Sequence, residues 1–277
     1  MFVSSRLSIS AAWDRTRARF AADGGLLLTV ALALIALPSA IGEFAFPQTK
    51  PFAAVGGVAE TVTMIVVLIL GIVGQLALVK LTLGPALSVG EAIAHGARRT
   101  PAFLGSAVIL LLGMFILAIP FGMLLAAMGV TVAEGGVQMS GRVALVMLAF
   151  LALIIFLGTR LLVSSPVASM EHVGSFAILK RSWQLTSGHF WRLFAFIWLF
   201  IIGALVVMLA VATIVNLIVM QIFGSIDPLS TAALISALVV SLVMAGITAM
   251  FVVMVSEIYA ELAGRDPALV SVPSSGT

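Results

Sequence analysis

The sequence predicts an all-α integral membrane protein with six transmembrane helices, arranged as three parallel helical hairpins, each preceded by a short amphipathic helix. Three observations carry that prediction. Hydrophobic residues make up 62% of the chain and charged residues 9%, with a mean hydropathy of +1.27, whereas a soluble domain carries roughly 25% charged residues. The charges leave six charge-free stretches, 24–42, 61–79, 100–133, 143–159, 193–226 and 228–256, and about 20 apolar residues suffice to cross a bilayer. Finally, one local plan recurs three times along the chain.

The first unit opens LSISAAWDRTRARFAADGGLLLTVALALIALP, the second LSVGEAIAHGARRTPAFLGSAVILLLGMFILAIP, and the third VGSFAILKRSWQLTSGHFWRLFAFIWLFIIGAL. Leu7-Ser8 answers Leu87-Ser88, Phe20 answers Phe103 and Phe190, and Pro38 answers Pro120; the third unit has only Gly203 near the proline position. The units cover approximately 7–82, 87–165 and 173–262. In the first leading segment Ile9, Trp13 and Phe20 share a helical face, with Asp14, Arg15, Arg17 and Arg19 mostly opposite. In the second, Ser88 and Glu91 form a capping box and Thr100-Pro101 marks an end. In the third, Phe176, Leu179 and Trp183 share a face that excludes Lys180, Arg181, Ser182 and Gln184, and Gly188 is a C-terminal stop. Such short, charged helices are expected to lie in the membrane interface. In the 100–133 stretch, Gly129, Gly135 and Gly136 place a loop at the end rather than a further crossing.

Two crossings per unit start every unit on the same side, which implies a pseudo-threefold axis along the membrane normal. The basic start, apolar run and Pro38-Ser39-Ala40 imitate a secretory signal peptide. The recurrence of the same plan inside the chain argues against cleavage there. Arg6, Arg15, Arg17, Arg19, Lys80, Arg98, Arg99, Arg160, Lys180, Arg181, Arg192 and Arg265 fall on the side of the N-terminus, and only Lys50 and Arg142 on the other. By the positive-inside rule both termini and the three leading helices are expected to be cytoplasmic, with outer loops around 47–55, 130–141 and 224–228.

The candidate chemistry is sparse. The chain has no cysteine, so disulfides, thiolates and sulfur-ligated metals are excluded. It has no HExxH metal motif, no GxSxG elbow and no phosphate-binding glycine loop followed by Lys-Ser/Thr. His95, His172 and His189 all fall on the predicted interfacial segments and read as polar surface residues rather than ligands. A net charge of +3 without a basic run gives no nucleic-acid signature. Glu43 and Glu60 read as solvated helix ends. Thr29, Gln75, Asn216, Gly71 and Gly74 lie inside spans, where small and polar residues join helices.

Charge near hydrocarbon is costly and usually paired. Lys80, Arg160 and Glu257 end the second, fourth and sixth spans. In a threefold arrangement they would converge with Glu171 and Arg181 into an ion cluster; the alternative is that each snorkels to its own headgroup layer. Trp183, Trp191 and Arg192 extend this candidate structural or headgroup-contact set.

From Thr159 to Phe194, TRLLVSSPVASMEHVGSFAILKRSWQLTSGHFWRLF resembles the membrane-domain family of glycerophosphoryl diester phosphodiesterases and the YciC-like inner-membrane proteins. Arg160, Pro166, Glu171, Gly174, Ala177, Arg181, Ser182, Trp183, Leu185, Thr186, Gly188, Trp191 and Arg192 carry the resemblance. The ending EIYAELAGRD, Glu257 to Asp266, resembles the family's tyrosine-plus-basic close with fewer basic residues. The resemblance implies a bacterial inner-membrane location. It implies no hydrolytic activity, because in those phosphodiesterases a separate soluble barrel does the chemistry and this chain lacks that barrel's residues.

The expectation is a non-enzymatic multi-pass membrane protein, without cofactor, that organises envelope lipid or serves as a membrane partner or scaffold and contacts anionic phospholipid headgroups. The alternative is a transporter or lipid-translocating protein with a site near the pseudo-threefold axis and a polar cavity at mid-depth. A membrane-embedded enzyme would need His172, Glu171 and His189 within metal-ligand reach of one another.

Overall fold

The computed structural model describes residues 8–46, 57–85, 87–130, 140–225, 227 and 229–264. Arg6, Lys50, Arg265, the loop 47–55 and nearly all of the loop 130–141 lie outside the described residues. Every regular element among the described residues is helical, and six helices are long and apolar enough to cross a membrane: Ile9–Ala45, Val58–Leu83, Val89–Ala127, Gly141–Met170, Phe190–Phe223 and Thr231–Leu262. Each contains one of the six charge-free stretches, or most of it.

The first span is α1 (Ile9–Ala31), a π-helical turn at Leu32–Ala36 and α2 (Leu37–Ala45). Proline has no amide proton and its ring crowds the carbonyl four residues back, so Pro38 cannot continue a regular ladder. The wider π turn immediately before it absorbs the fault. The turn is also a packing surface: Gly74 of α3 (Val58–Leu83) lies so close that a methyl group there would meet Leu34 at 3.0 Å and Ile35 at 3.2 Å.

α4 (Val89–Ala127) is one 39-residue helix, which corrects two expectations. The leading segment is not separated from the span, and Thr100-Pro101 does not end it. Tertiary contacts hold the helix on both sides of Pro101: His95 and Arg99 bond to the chain at 168–171, and Ser175 donates to the Ala102 carbonyl at 2.9 Å. The predicted capping box at Ser88 and Glu91 is formed. Likewise α1 runs through Asp23-Gly24-Gly25 without a break. At ~1.5 Å per residue α4 is ~58 Å long against a hydrocarbon thickness of ~30 Å, so its first turns stand outside the apolar slab.

The third leading segment is separate. α5 (Gly141–Arg160) is followed by the short buried α6 (Ser164–Met170), then α7 (Ser175–Leu185), a turn, and α8 (Phe190–Phe223). Gly188 provides the predicted stop with φ +88, a left-handed conformation that costs a side-chain-bearing residue about 1 kcal/mol or more. Gly188→Ala meets no steric obstacle, so it is expected to lower stability by about 1 kcal/mol through backbone strain alone, read as a reduced unfolding temperature in detergent. The chain closes with α9 (Thr231–Leu262).

The core is concentrated toward one end. α1, α3 and α9 pack together through Leu27, Val30, Ala31, Leu78, Ala245, Ala249 and Val252, and the start of α1 joins α6, α7 and the start of α8 around Ile258 and Tyr259. The remaining lengths of α4, α5 and α8 expose large apolar side chains such as Phe115, Leu145 and Leu205. Lipid is as apolar as leucine, so no hydrophobic force closes such helices on one another.

Candidate functional site

The start of α1, the start of α4, α6, α7, the start of α8 and the end of α9 meet at one end of the bundle, and there several charged side chains are bonded to one another or to backbone carbonyls. Ser8 caps α1, and its own amide donates to Glu261 Oε1 at 2.7 Å. Arg15 donates to Glu257 Oε2 at 3.1 Å and to Glu261 Oε2 at 2.8 Å, while Arg19 lies 3.8 Å from Glu257 Oε1 and 3.6 Å from Asp23. Glu257 is a carboxylate with its side chain only 2% exposed. Burial of that kind is tolerable only with cationic partners at contact distance.

A second set lies around α6. The last carbonyls of a helix lack intrahelical donors, and here α4 supplies them: Arg99 donates to the Ala168 carbonyl at 2.8 Å and also to that of Glu171, and His95 Nε2 donates to the Ser169 carbonyl at 2.8 Å. Ser169 in turn donates to the Leu76 carbonyl of α3 at 3.0 Å. The Glu171 carboxylate accepts from Arg181 Nε at 3.2 Å and from the Tyr259 hydroxyl at 2.9 Å. Thus α4, α6, α7 and α9 are joined through Glu171 and its neighbours.

A third set surrounds Arg160 in the last turn of α5. Its carbonyl accepts from Ser182 at 3.1 Å and Thr186 at 2.9 Å of the α7 segment. Its guanidinium lies over the rings of Phe156 and Trp183, 5.5 and 5.2 Å from their centroids. Phe156 also touches Phe190, from which an aromatic row continues through Phe194 to Trp198 with Trp191 at its edge.

The members of the expected single cluster are therefore divided: Glu257, Glu171 with Arg181, and Arg160 fall in three sets, and Lys80 in none of them. Glu171 and Arg181 are brought together, and Arg160 meets Trp183. The salt bridges to Glu257 come from α1, which the sequence does not put forward. Lys80 is half-buried with its stem against Gly84, while Trp191 and Arg192 are exposed at the start of α8. His95 is a half-buried structural donor, a correction to its reading as a surface residue; His172 is exposed. Tyr259 and Glu261 are absent from the sequence-predicted set, although Tyr259 is the single tyrosine of the chain. Inside the spans, Gly74 is a contact residue but Gly71 meets nothing within 4 Å, and Thr29 and Asn216 are exposed. Glu43 is exposed, and Glu60 lies in the first turn of α3. Among the described residues no group of three or more His, Asp or Glu is arranged to hold a metal ion, so Glu171, His172 and His189 form no metal centre.

Two cavities accompany these sets, both apolar. One of about 270 Å³ lies beside the π turn, lined by Leu32, Ala36, Leu37, Ala40, Leu238, Val239 and Leu242. The other, about 650 Å³, opens between the start of α1, α8 and α9, with Trp13, Phe196, Phe200, Gly203 and Met254 in its wall.

The fold and this bonded polar end define a multi-pass α-helical membrane protein. Residues 137–266, a little under half of the chain, match the family model for the membrane domain of glycerophosphoryl diester phosphodiesterase. The match spans the last three transmembrane helices with α6 and α7, and so includes Arg160, Glu171, Arg181 and Tyr259. No curated protein and no solved structure matches the chain.

Proposed function

We propose that this chain is a non-enzymatic membrane protein that organises anionic lipid on the side of its bonded polar end. The observation that carries the reading is the division of the molecule into a tightly bonded end, where carboxylates and cations are engaged with one another, and long helices that offer apolar surface to lipid. Catalysis by Glu171 or Glu257 would require releasing Arg181 and Tyr259, or Arg15 and Arg19. The exposed cations Arg17, Arg98 and Lys180 on the leading segments remain directed at the surroundings, where each contributes about 1 kcal/mol toward an anionic surface.

The three leading segments behave as equivalents. Each presents a buried stripe with four-residue spacing that ends in threonine: Ala12 and Thr16, Gly96 and Thr100, Ser182 and Thr186. Each threonine hydroxyl donates to the carbonyl four residues back, at 2.8, 2.9 and 2.9 Å. Each segment also packs on the end of an even-numbered span: α4 on α3, α7 on α5–α6, and α1 on α9, so the last unit closes on the first. This supports three parallel repeats with leading helices at headgroup level, and the 12-to-2 distribution of Lys and Arg supports a cytoplasmic polar end in a bacterial inner membrane.

The test is thermal unfolding in mixed micelles. Phosphatidylglycerol is expected to raise the unfolding temperature more than phosphatidylcholine, and the difference should shrink with salt. Equal stabilisation by both lipids would overturn the proposal. A lipid-translocating role is the second reading: the 650 Å³ cleft open between α1, α8 and α9 has room for an acyl chain, but its apolar lining is not the polar mid-depth cavity that this reading expects. It is checked by scrambling of fluorescent lipid in proteoliposomes.

A further inference from the structure

Most arginines held within the polar end have a protein partner: Arg15 and Arg19 have Glu257, Arg181 has Glu171, and Arg99 has the carbonyls at the end of α6. Arg160 differs. Its Nε and one terminal nitrogen, Nη1, are buried without a hydrogen-bond partner, and its guanidinium contacts are the Phe156 and Trp183 rings. Nearby, His189 leads into α8, and its Nδ1 is also buried without a partner. Two buried guanidinium nitrogens without an acceptor are costly, because aromatic faces hold the cation but accept neither N–H group in line.

Backbone dipoles do not supply the missing charge. The C-terminus of α5 offers about half a negative charge to Arg160, but the N-terminus of α8 brings about half a positive charge to the same junction. His189 at that N-terminus gives no side-chain cap. The arrangement is electropositive, has at least three unanswered nitrogens, and is walled by Phe156, Trp183 and Phe190.

We propose that Arg160, with His189 and the start of α8, binds the phosphate of one anionic phospholipid. Phosphate oxygens are strong acceptors for charged guanidinium N–H groups. Tryptophans 183, 191 and 198 around the site are residues of the kind that sits at the membrane–water boundary. Leu145 and Leu148 of α5 and Ile201 and Leu205 of α8 are exposed along the two helices that run away from the site and give the acyl chains an apolar surface. The inference deepens the lipid-organising proposal by naming one retained molecule.

Native mass spectrometry of the full chain, titrated with phosphatidylglycerol in detergent, tests it. Wild type is expected to retain one lipid, Arg160→Gln to bind it about tenfold or more weakly, and Arg160→Lys to fall between them, since the charge is kept and the delocalised, ring-stacking guanidinium is lost. Arg142→Gln, an exposed cation at the opposite end of α5, is expected to leave that retention unchanged. Undiminished retention by Arg160→Gln would overturn the proposal. If that variant does not survive purification, His189→Ala is read in the same titration: weaker retention supports the site and unchanged retention overturns it. Inorganic phosphate is the competing arm; displacement of the lipid signal by phosphate at similar concentration would overturn a lipid ligand in favour of free phosphate. Loss of the single retained lipid in Arg160→Gln, with general phosphatidylglycerol stabilisation intact, separates this site from the broader function.

Discussion

Glu257→Gln is expected to lower stability by roughly 3 kcal/mol, measured by denaturant unfolding in detergent. The carboxylate is almost fully buried, and the substitution keeps its volume while leaving Arg15 and Arg19 facing an uncharged amide. Breaking a buried pair from one side typically costs about 3–5 kcal/mol. The lower part of that range applies here, because Arg15 retains Glu261 at 2.8 Å and its side chain is 32% exposed. Arg15→Met in the same background should recover part of the loss, since it removes the stranded cation as well. A double-mutant cycle gives the coupling directly, and a value indistinguishable from zero would show that the Arg15–Glu257 pair does not help to hold α1 on α9.

The six spans are legible because hydrocarbon tolerates few charges, and the charge-free runs mark them with little ambiguity. Gly188 is legible for a local reason: a helix of the length of α7 ends where a residue can turn left-handed. Thr100-Pro101 has the same local signature and misleads, because the forces that keep α4 continuous come from Ser175 and from the end of α6, about 70 residues away in sequence. Pro38 carries its message in another form, as the π turn that precedes it.

At the polar end the sequence marks Glu171, Arg181, Arg160 and Glu257 as charges placed where they need partners. It cannot pair them. Arg15 and Glu257 are separated by 242 residues and Tyr259 and Glu171 by 88, so their meeting depends on how distant helices pack together. The aromatic setting of Arg160 is half visible, since Trp183 and Phe190 stand in the resembling segment; Phe156, in the turn before Arg160, has the look of an ordinary span residue.

Gly96 offers the sharpest test of how the leading segment of α4 is seated. A methyl group on it would lie 2.5 Å from the Val73 carbonyl oxygen and 3.2 Å from the Ala77 amide nitrogen. Both are backbone atoms of α3, and a rigid helix cannot yield as a side-chain tip can. Gly96→Ala is therefore expected to destabilise the protein by about 1–3 kcal/mol despite the better helix propensity of alanine, and Gly96→Leu to remove most folded protein from a detergent extract. At Gly90, earlier in the same helix, an added methyl group would meet nothing within 4 Å, so Gly90→Ala should stabilise by up to about 1 kcal/mol. Opposite signs for the same chemical change, read as unfolding temperatures, would locate the contact at the α3–α4 crossing. Equal signs would mean that the two helices stand farther apart than this packing requires, and the bonds from His95 and Arg99 to α6 would lose the rigid seat that aims them.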